Sequence, residues 1–208
     1  MTRSLRRAFI WLAALLYAWF VLLDLTACGN SVPIKFAAIL LCLLAALGSL
    51  RTVDGRLTAL ALTLTVGADW FLLVLDRHYL AGVLLFCAVQ LVYLCRLACL
   101  RGRLVRPLLA VRLLPLALLP LGADALFSAA AFYFTGLVCN AAEAFSLRRQ
   151  SRRAAVFALG LALFICCDLC VGAWNIGLQN SFTRVAMWLF YLPSQVLIVL
   201  SAQIGEEI

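Results

Sequence analysis

Two aspartates, Asp69 and Asp168, stand inside stretches otherwise suited to hydrocarbon, LTALALTLTVGADWFLLVL and AVFALGLALFICCDLCVGAW. A carboxylate at that depth costs a few kcal/mol or more unless it faces a polar interior. Two of them, in different stretches, call for a bundle that turns both inward. Composition leaves no soluble alternative. Of 208 residues, 66% are hydrophobic and 12% charged, whereas a soluble domain is nearer half apolar. The chain reads as an all-α, polytopic transmembrane helical bundle. At about 20 residues per crossing, it has room for at most about eight helices.

Turn signals divide it into eight predicted helices, at 8–27, 34–50, 57–75, 79–97, 104–121, 123–146, 154–175 and 183–203. The breaks are GNSVP at 29–33, Asp54-Gly55, DRH at 76–78, RGRLVRP at 101–107, Leu121-Gly122, RRQSRR at 148–153 and NIGLQNS at 175–181. Pro115 and Pro120 would kink or end the fifth span. No long linker or soluble domain interrupts the series, so residues 1–208 form a single transmembrane domain.

The net charge is +8, nearly all from arginine, and Lys35 is the only lysine. With the N-terminus in the cytoplasm, thirteen arginines fall in cytoplasmic segments: Arg3, Arg6, Arg7, Arg51, Arg56, Arg96, Arg101, Arg103, Arg106, Arg148, Arg149, Arg152 and Arg153. Lys35, Arg77 and Arg184 fall outside, and Arg112 lies within the fifth span. That asymmetry predicts an N-in, C-in arrangement. The expected location is a bacterial plasma membrane. Basic residues gathered at helix ends are a topology signal and not a nucleic-acid footprint, so no nucleic acid is expected as partner. Residues 25–28, LTAC, followed by Gly29-Asn30-Ser31, imitate a lipoprotein processing site. Asp24 interrupts the apolar leader and seven spans follow, so the first helix is expected to stay.

Most of the nine cysteines lie within apolar spans, where cysteine behaves as a small hydrophobe. Cys167 and Cys170 have the C-x-x-C spacing without a second such pair, and the only histidine is His78. Zinc takes about four such ligands. Neither a metal nor a cofactor is expected, and a hydrolase built on a histidine cluster is excluded. A retinal protein is disfavoured because the last helix has no lysine for a Schiff base.

Residues three and four apart share a helix face. The few polar and small groups fall on such lines: Gly82, Phe86, Gln90 and Tyr93; Tyr133, Gly136, Asn140 and Glu143; Gly160, Phe164, Asp168 and Gly172; Tyr191 and Gln195. Asp69 is about twelve and Asp168 about fourteen residues into outward-running helices, which at about 1.5 Å per residue puts both near the midplane. Gln90 and Gln195 reach a similar depth. The expectation is one internal cavity lined by these residues, with the carboxylates within roughly 10 Å of each other, as paired carboxylates stand in glycosidases. For any single Gln or Tyr, interhelical glue at about 0.6 kcal/mol is the stronger reading. Glue does not require a charge, so the aspartates ask for more. Asp24 and Lys35 lie near the outer ends of adjacent helices and can pair or snorkel.

These motifs have a family likeness. Gly67-Ala68-Asp69-Trp70-Phe71-Leu72-Leu73, then Gly82, Phe86, Gln90 and Tyr93, resembles the first signature of the YhhN-like family of integral membrane proteins. Gly160, Phe164 and Asp168, then Tyr191, Gln195, Leu197, Ile198 and Ser201, resembles its second. Lys35, soon after Pro33, matches a lysine near the start of that family's second helix. The likeness runs from about residue 33 to 201. The family often has histidine at the position of Gln90, which cannot titrate, and serine at that of Cys167.

The family includes lysoplasmalogenases, so the resemblance implies hydrolysis of the vinyl ether bond of a lysoplasmalogen to a fatty aldehyde and a glycerophospho-alcohol. Protonating the β-carbon creates an oxocarbenium ion, which water attacks. The candidate catalytic pair is Asp69 and Asp168. Desolvation favours a neutral acid, able to donate a proton, while a second, ionised carboxylate steadies the cation and directs water. Lys35, Gln90, Tyr93, Asn140, Glu143, Tyr191 and Gln195 are candidates for binding substrate. The expected partners are the lysophospholipid and the bilayer. Two alternatives come from other classes: a small proton-coupled transporter, whose membrane carboxylates relay protons, and a non-enzymatic lipid-binding protein.

Overall fold

The computed structural model describes residues 2–26 and 28–204, so the predicted end of the first helix and the LTAC run fall partly outside the described residues at residue 27. Among the described residues the chain forms eight α-helices: α1 (Arg3–Thr26), α2 (Val32–Leu47), α3 (Val53–Asp69), α4 (Tyr79–Arg101), α5 (Arg106–Leu113), α6 (Ala125–Leu147), α7 (Arg152–Asn175) and α8 (Ser181–Gln203). Six helical stretches are long and apolar enough to cross a membrane, α3 being counted with its extension to Val74, while α2 is apolar but shorter. The chain is a multi-pass helical membrane protein.

Short polar residues start the helices where the turn signals lie. Thr52 accepts from Gly55 N–H at 3.0 Å, Asp124 from Leu126 and Phe127 at 2.8 and 3.1 Å, and Ser151 from Ala154 at 3.4 Å. Asn180 and Thr183 form a reciprocal capping box at the head of α8. Each satisfies amide groups that a first helical turn leaves unpaired.

Cross-contacts give the direction of each helix. Asp54 reaches Arg96 and Leu72 packs at Gly82, so α3 and α4 are antiparallel. Gly160 abuts Ile198, and Arg153 bonds the Ile204 carbonyl, so α7 and α8 are antiparallel too. In contrast, α4 and α6 run the same way. Cys87 meets the Ala129 carbonyl near both starts, Asn140 bonds the Gln90 carbonyl midway, and Arg101 bonds Ser146 near both ends. The chain between them must return the full height of the bundle.

It does so without the predicted continuous helix at 104–121. The eight residues of α5 pass into a 3-10 turn at Leu114–Leu118 that begins beside Pro115. Proline has no N–H and clashes with the carbonyl four residues back, so the α-helix stops there. The two pieces rise about 12 and about 10 Å. Irregular chain covers the rest. The crossing therefore survives, while the fifth helix as a full span does not.

Alternation of eight segments puts both described ends on one face of the bundle. The same face collects the thirteen arginines assigned together from sequence, and Lys35, Arg77 and Arg184 lie toward the other. One arginine is fully buried there. Arg96 holds Asp54 through Nε (2.6 Å) and Nη2 (3.0 Å), gives Ser201 a bond of 2.8 Å, and lies over the Phe157 ring at 4.2 Å. It ties α3, α4, α7 and α8 together at that end.

Candidate active site

Asp69 is the last residue of α3 before the backbone widens. From Trp70 to Val74 the helix takes a wider turn, with Leu75 N–H bonding the Trp70 carbonyl, five residues back, at 2.9 Å. Such turns often mark functional sites. The partner helix accommodates it through a missing side chain. A Cβ on Gly82 of α4 would stand 2.5 Å from Leu72 Cγ, so only glycine allows this approach without displacing Leu72. The Asp69 side chain is buried, and its Oδ2 accepts the Tyr191 hydroxyl at 2.7 Å. Tyr191 sits on α8 two residues before Pro193.

Asp168 is built in the same way from a different pair of helices. Its Oδ2 accepts the Tyr133 hydroxyl of α6 at 2.6 Å. Asp168 itself is part-buried. Phe164, one turn earlier on α7, links the two units. Its ring centroid is 5.5 Å from Tyr191 and 6.3 Å from Tyr133. Phe86 of α4 closes the cluster, 5.4 Å from Tyr133 and 5.9 Å from Phe164. Each carboxylate is thus fixed at one oxygen by a tyrosine of the same aromatic cluster. Cys167, beside Asp168, is buried.

The remaining candidates divide among other neighbourhoods. Gln90, Asn140 and Glu143 form a chain with an arginine that sequence reasoning left inside a span. Asn140 donates to the Gln90 carbonyl (2.9 Å) and Gln90 Oε1 (3.0 Å), and accepts from Arg112 Nη2 at 2.6 Å. Glu143 faces Arg101 and Arg112 at 3.3 and 3.6 Å. Gln90 and Arg112 line a cavity of about 210 Å³ between α4, α5 and α6, so Gln90 belongs to that space.

Lys35 is buried and held by Asp24 Oδ2 at 2.7 Å, with Trp188 at 4.7 Å from its ammonium. A phosphate would have to compete with that carboxylate. Tyr93 packs edge-on against Phe157 at 5.2 Å. Gln195 is buried one turn beyond Tyr191, beside Ser194.

A family model for YhhN proteins matches residues 30–202. The chain belongs to the YhhN family. No curated protein and no solved structure matches it. The YhhN match takes in both aspartates and both tyrosines bound to them, and leaves α1 outside. In this YhhN protein, the tyrosine partners follow the spacing of their helices. Tyr133 lies on the line with Gly136 and Asn140, a signal present in sequence. Arg112 is a lone guanidinium in an apolar run, which sequence places at no particular neighbour.

Proposed function

We propose that this protein is an intramembrane hydrolase of the lysoplasmalogenase type, with Asp69 and Asp168 as its acid and base. The observation that carries the reading is the pair of Asp–Tyr units whose two tyrosine rings both pack on Phe164. Each tyrosine occupies one carboxyl oxygen and fixes the orientation of the other, toward substrate. One carboxyl group gives its proton to the β-carbon of the vinyl ether. The other, as carboxylate, stabilises the adjacent oxocarbenium ion and takes a proton from the attacking water. The resulting hemiacetal collapses to a fatty aldehyde and the glycerophospho-alcohol, so one water is consumed per bond broken. The aromatic wall suits the flat, delocalised cation and the alkenyl chain.

The test is a panel of lysolipids offered to the purified protein in nanodiscs, with and without the vinyl ether. Aldehyde release from the vinyl ether lipid alone is the expected result. Release from none of them would leave family membership intact and remove the reaction.

A further inference from the structure

Tyr93 and Arg96 are one turn apart on α4, a spacing that puts both on one helix face. Both are fully buried, and both rest on the Phe157 ring of α7. Two polar atoms there have no hydrogen-bond partner among the described residues: Arg96 Nη1 and the Tyr93 hydroxyl. The rest of the guanidinium is committed. Nε and Nη2 hold Asp54, and Nη2 also reaches Ser201. A buried donor left unpaired is costly, so such a group calls for an ordered ligand.

The chemistry narrows that ligand. Asp54 already balances the charge of Arg96 at 2.6 Å, so a second anion would be in excess. The guanidinium repels a cation. The ligand is therefore neutral, accepts from Nη1 and shares a hydrogen bond with a phenol. Water does both, and a buried water makes about two to four hydrogen bonds, two of which are offered here. The Tyr93 hydroxyl lies within electrostatic reach of both Arg96 and Tyr133, and Tyr133 donates to Asp168 at 2.6 Å. At the other end, Asp54 keeps 10% of its side chain exposed at the arginine-rich face. Polar groups thus run from that face to Asp168 through an otherwise apolar bundle.

We propose that Arg96 Nη1 and the Tyr93 hydroxyl hold a water molecule between them, and that this site supplies Asp168 with the water its reaction consumes. The supply role rests on the hydrolase reading, and the water site does not. A lipid substrate arrives from a medium that carries almost no water, so the second reactant needs an entrance of its own. The fixed charge of Arg96 admits water and repels a hydronium ion, so the route carries water and not protons.

The experiment is X-ray radiolysis of the full-length protein in nanodiscs, in water carrying a heavy oxygen isotope. Hydroxyl radicals born from a bound water label the side chains beside it. Tyr93 and Phe157 should take up the isotope in proportion to dose, despite their burial. Tyr93→Phe keeps the ring and loses the hydroxyl, and should cut the labelling of Phe157 several-fold. Arg96→Lys keeps the charge beside Asp54 and loses Nη1, and should cut the labelling of both rings. If Arg96→Lys does not fold, Tyr93→Phe decides alone. On a vinyl ether lysolipid, Tyr93→Phe should lower kcat by about tenfold with KM little changed, a loss in the chemical step and not in binding. No label at Tyr93 and Phe157 in the wild type, or Phe157 labelling that Tyr93→Phe leaves unchanged, would overturn the water site. Wild-type kcat in Tyr93→Phe would overturn the supply role. A wild type that takes the label and releases no aldehyde would support the water site and remove the reaction it serves.

Discussion

Tyr17 of α1 donates its hydroxyl to the Leu189 carbonyl of α8, 3.2 Å away, and Leu189 is four residues before Pro193. Proline leaves that carbonyl without its intrahelical N–H, and in a membrane such a group needs a neighbour to satisfy it. The helix outside the family match thus repairs a defect beside Tyr191, the residue that holds Asp69. Tyr17→Phe should lower stability by about 0.6 kcal/mol, and by no more than about 1.7. Pro193→Ala restores the missing N–H, so the same Tyr17→Phe change should then cost nothing. Unfolding titrations on the four proteins give the coupling. Additive losses would mean that Tyr17 acts elsewhere.

Asp69→Asn and Asp168→Asn should each leave a folded protein whose turnover of a vinyl ether lysolipid falls by about 10²–10⁴-fold. Asparagine keeps the shape and can still accept from tyrosine, but it cannot serve as acid or carry charge. Tyr133→Phe and Tyr191→Phe retain the ring contacts with Phe164 and lose only the hydroxyl, so they should slow turnover by a smaller factor. Near wild-type turnover in Asp168→Asn would remove Asp168 from the catalytic pair.

Gly82→Ala should destabilise by about 1–3 kcal/mol, the usual cost of forcing a methyl into packed space, because Leu72 occupies that space. Leu72 lies in the wide turn after Asp69, so turnover should fall along with stability. Gly172 on α7 has nothing within 4 Å of its would-be Cβ. Gly172→Ala should therefore leave both properties intact. Thermal midpoints and rates measured side by side distinguish the two glycines, and equal effects would refute the packing argument.

Reporter fusions test the orientation. The arginine-rich face carries both described ends, and the positive-inside rule assigns that face to the cytoplasm. A fusion after the C-terminus should read as cytoplasmic, and one in the Asp76–His78 turn as external. An external C-terminus would invert the whole assignment.

Helix positions were readable along the chain because their causes are local. Apolar runs, caps such as Thr52 and Asp124, and stops such as Gly102 act within a few residues of themselves. The two aspartates announced their importance by cost alone. Their partners did not. Tyr133 and Tyr191 were visible on polar helix lines, but which carboxylate each would meet depends on how four helices pack. Arg112 was legible least. A lone guanidinium in an apolar run gives no hint of Asn140 and Glu143, which lie 28 and more residues away. Lys35 shows the reverse case. Its pairing with Asp24 follows from two adjacent helix ends and was within reach of sequence.

The broken passage through α5 has a consequence for the lipid around it. A segment rising about 22 Å in ordered structure meets a hydrocarbon slab of about 30 Å. The rest of that height is covered by irregular chain, and irregular backbone at membrane depth is tolerated only where protein buries it or water reaches it. The flank at α5 is therefore where the bundle has to shield its own backbone from lipid, a demand that the long helices α7 and α8 do not make.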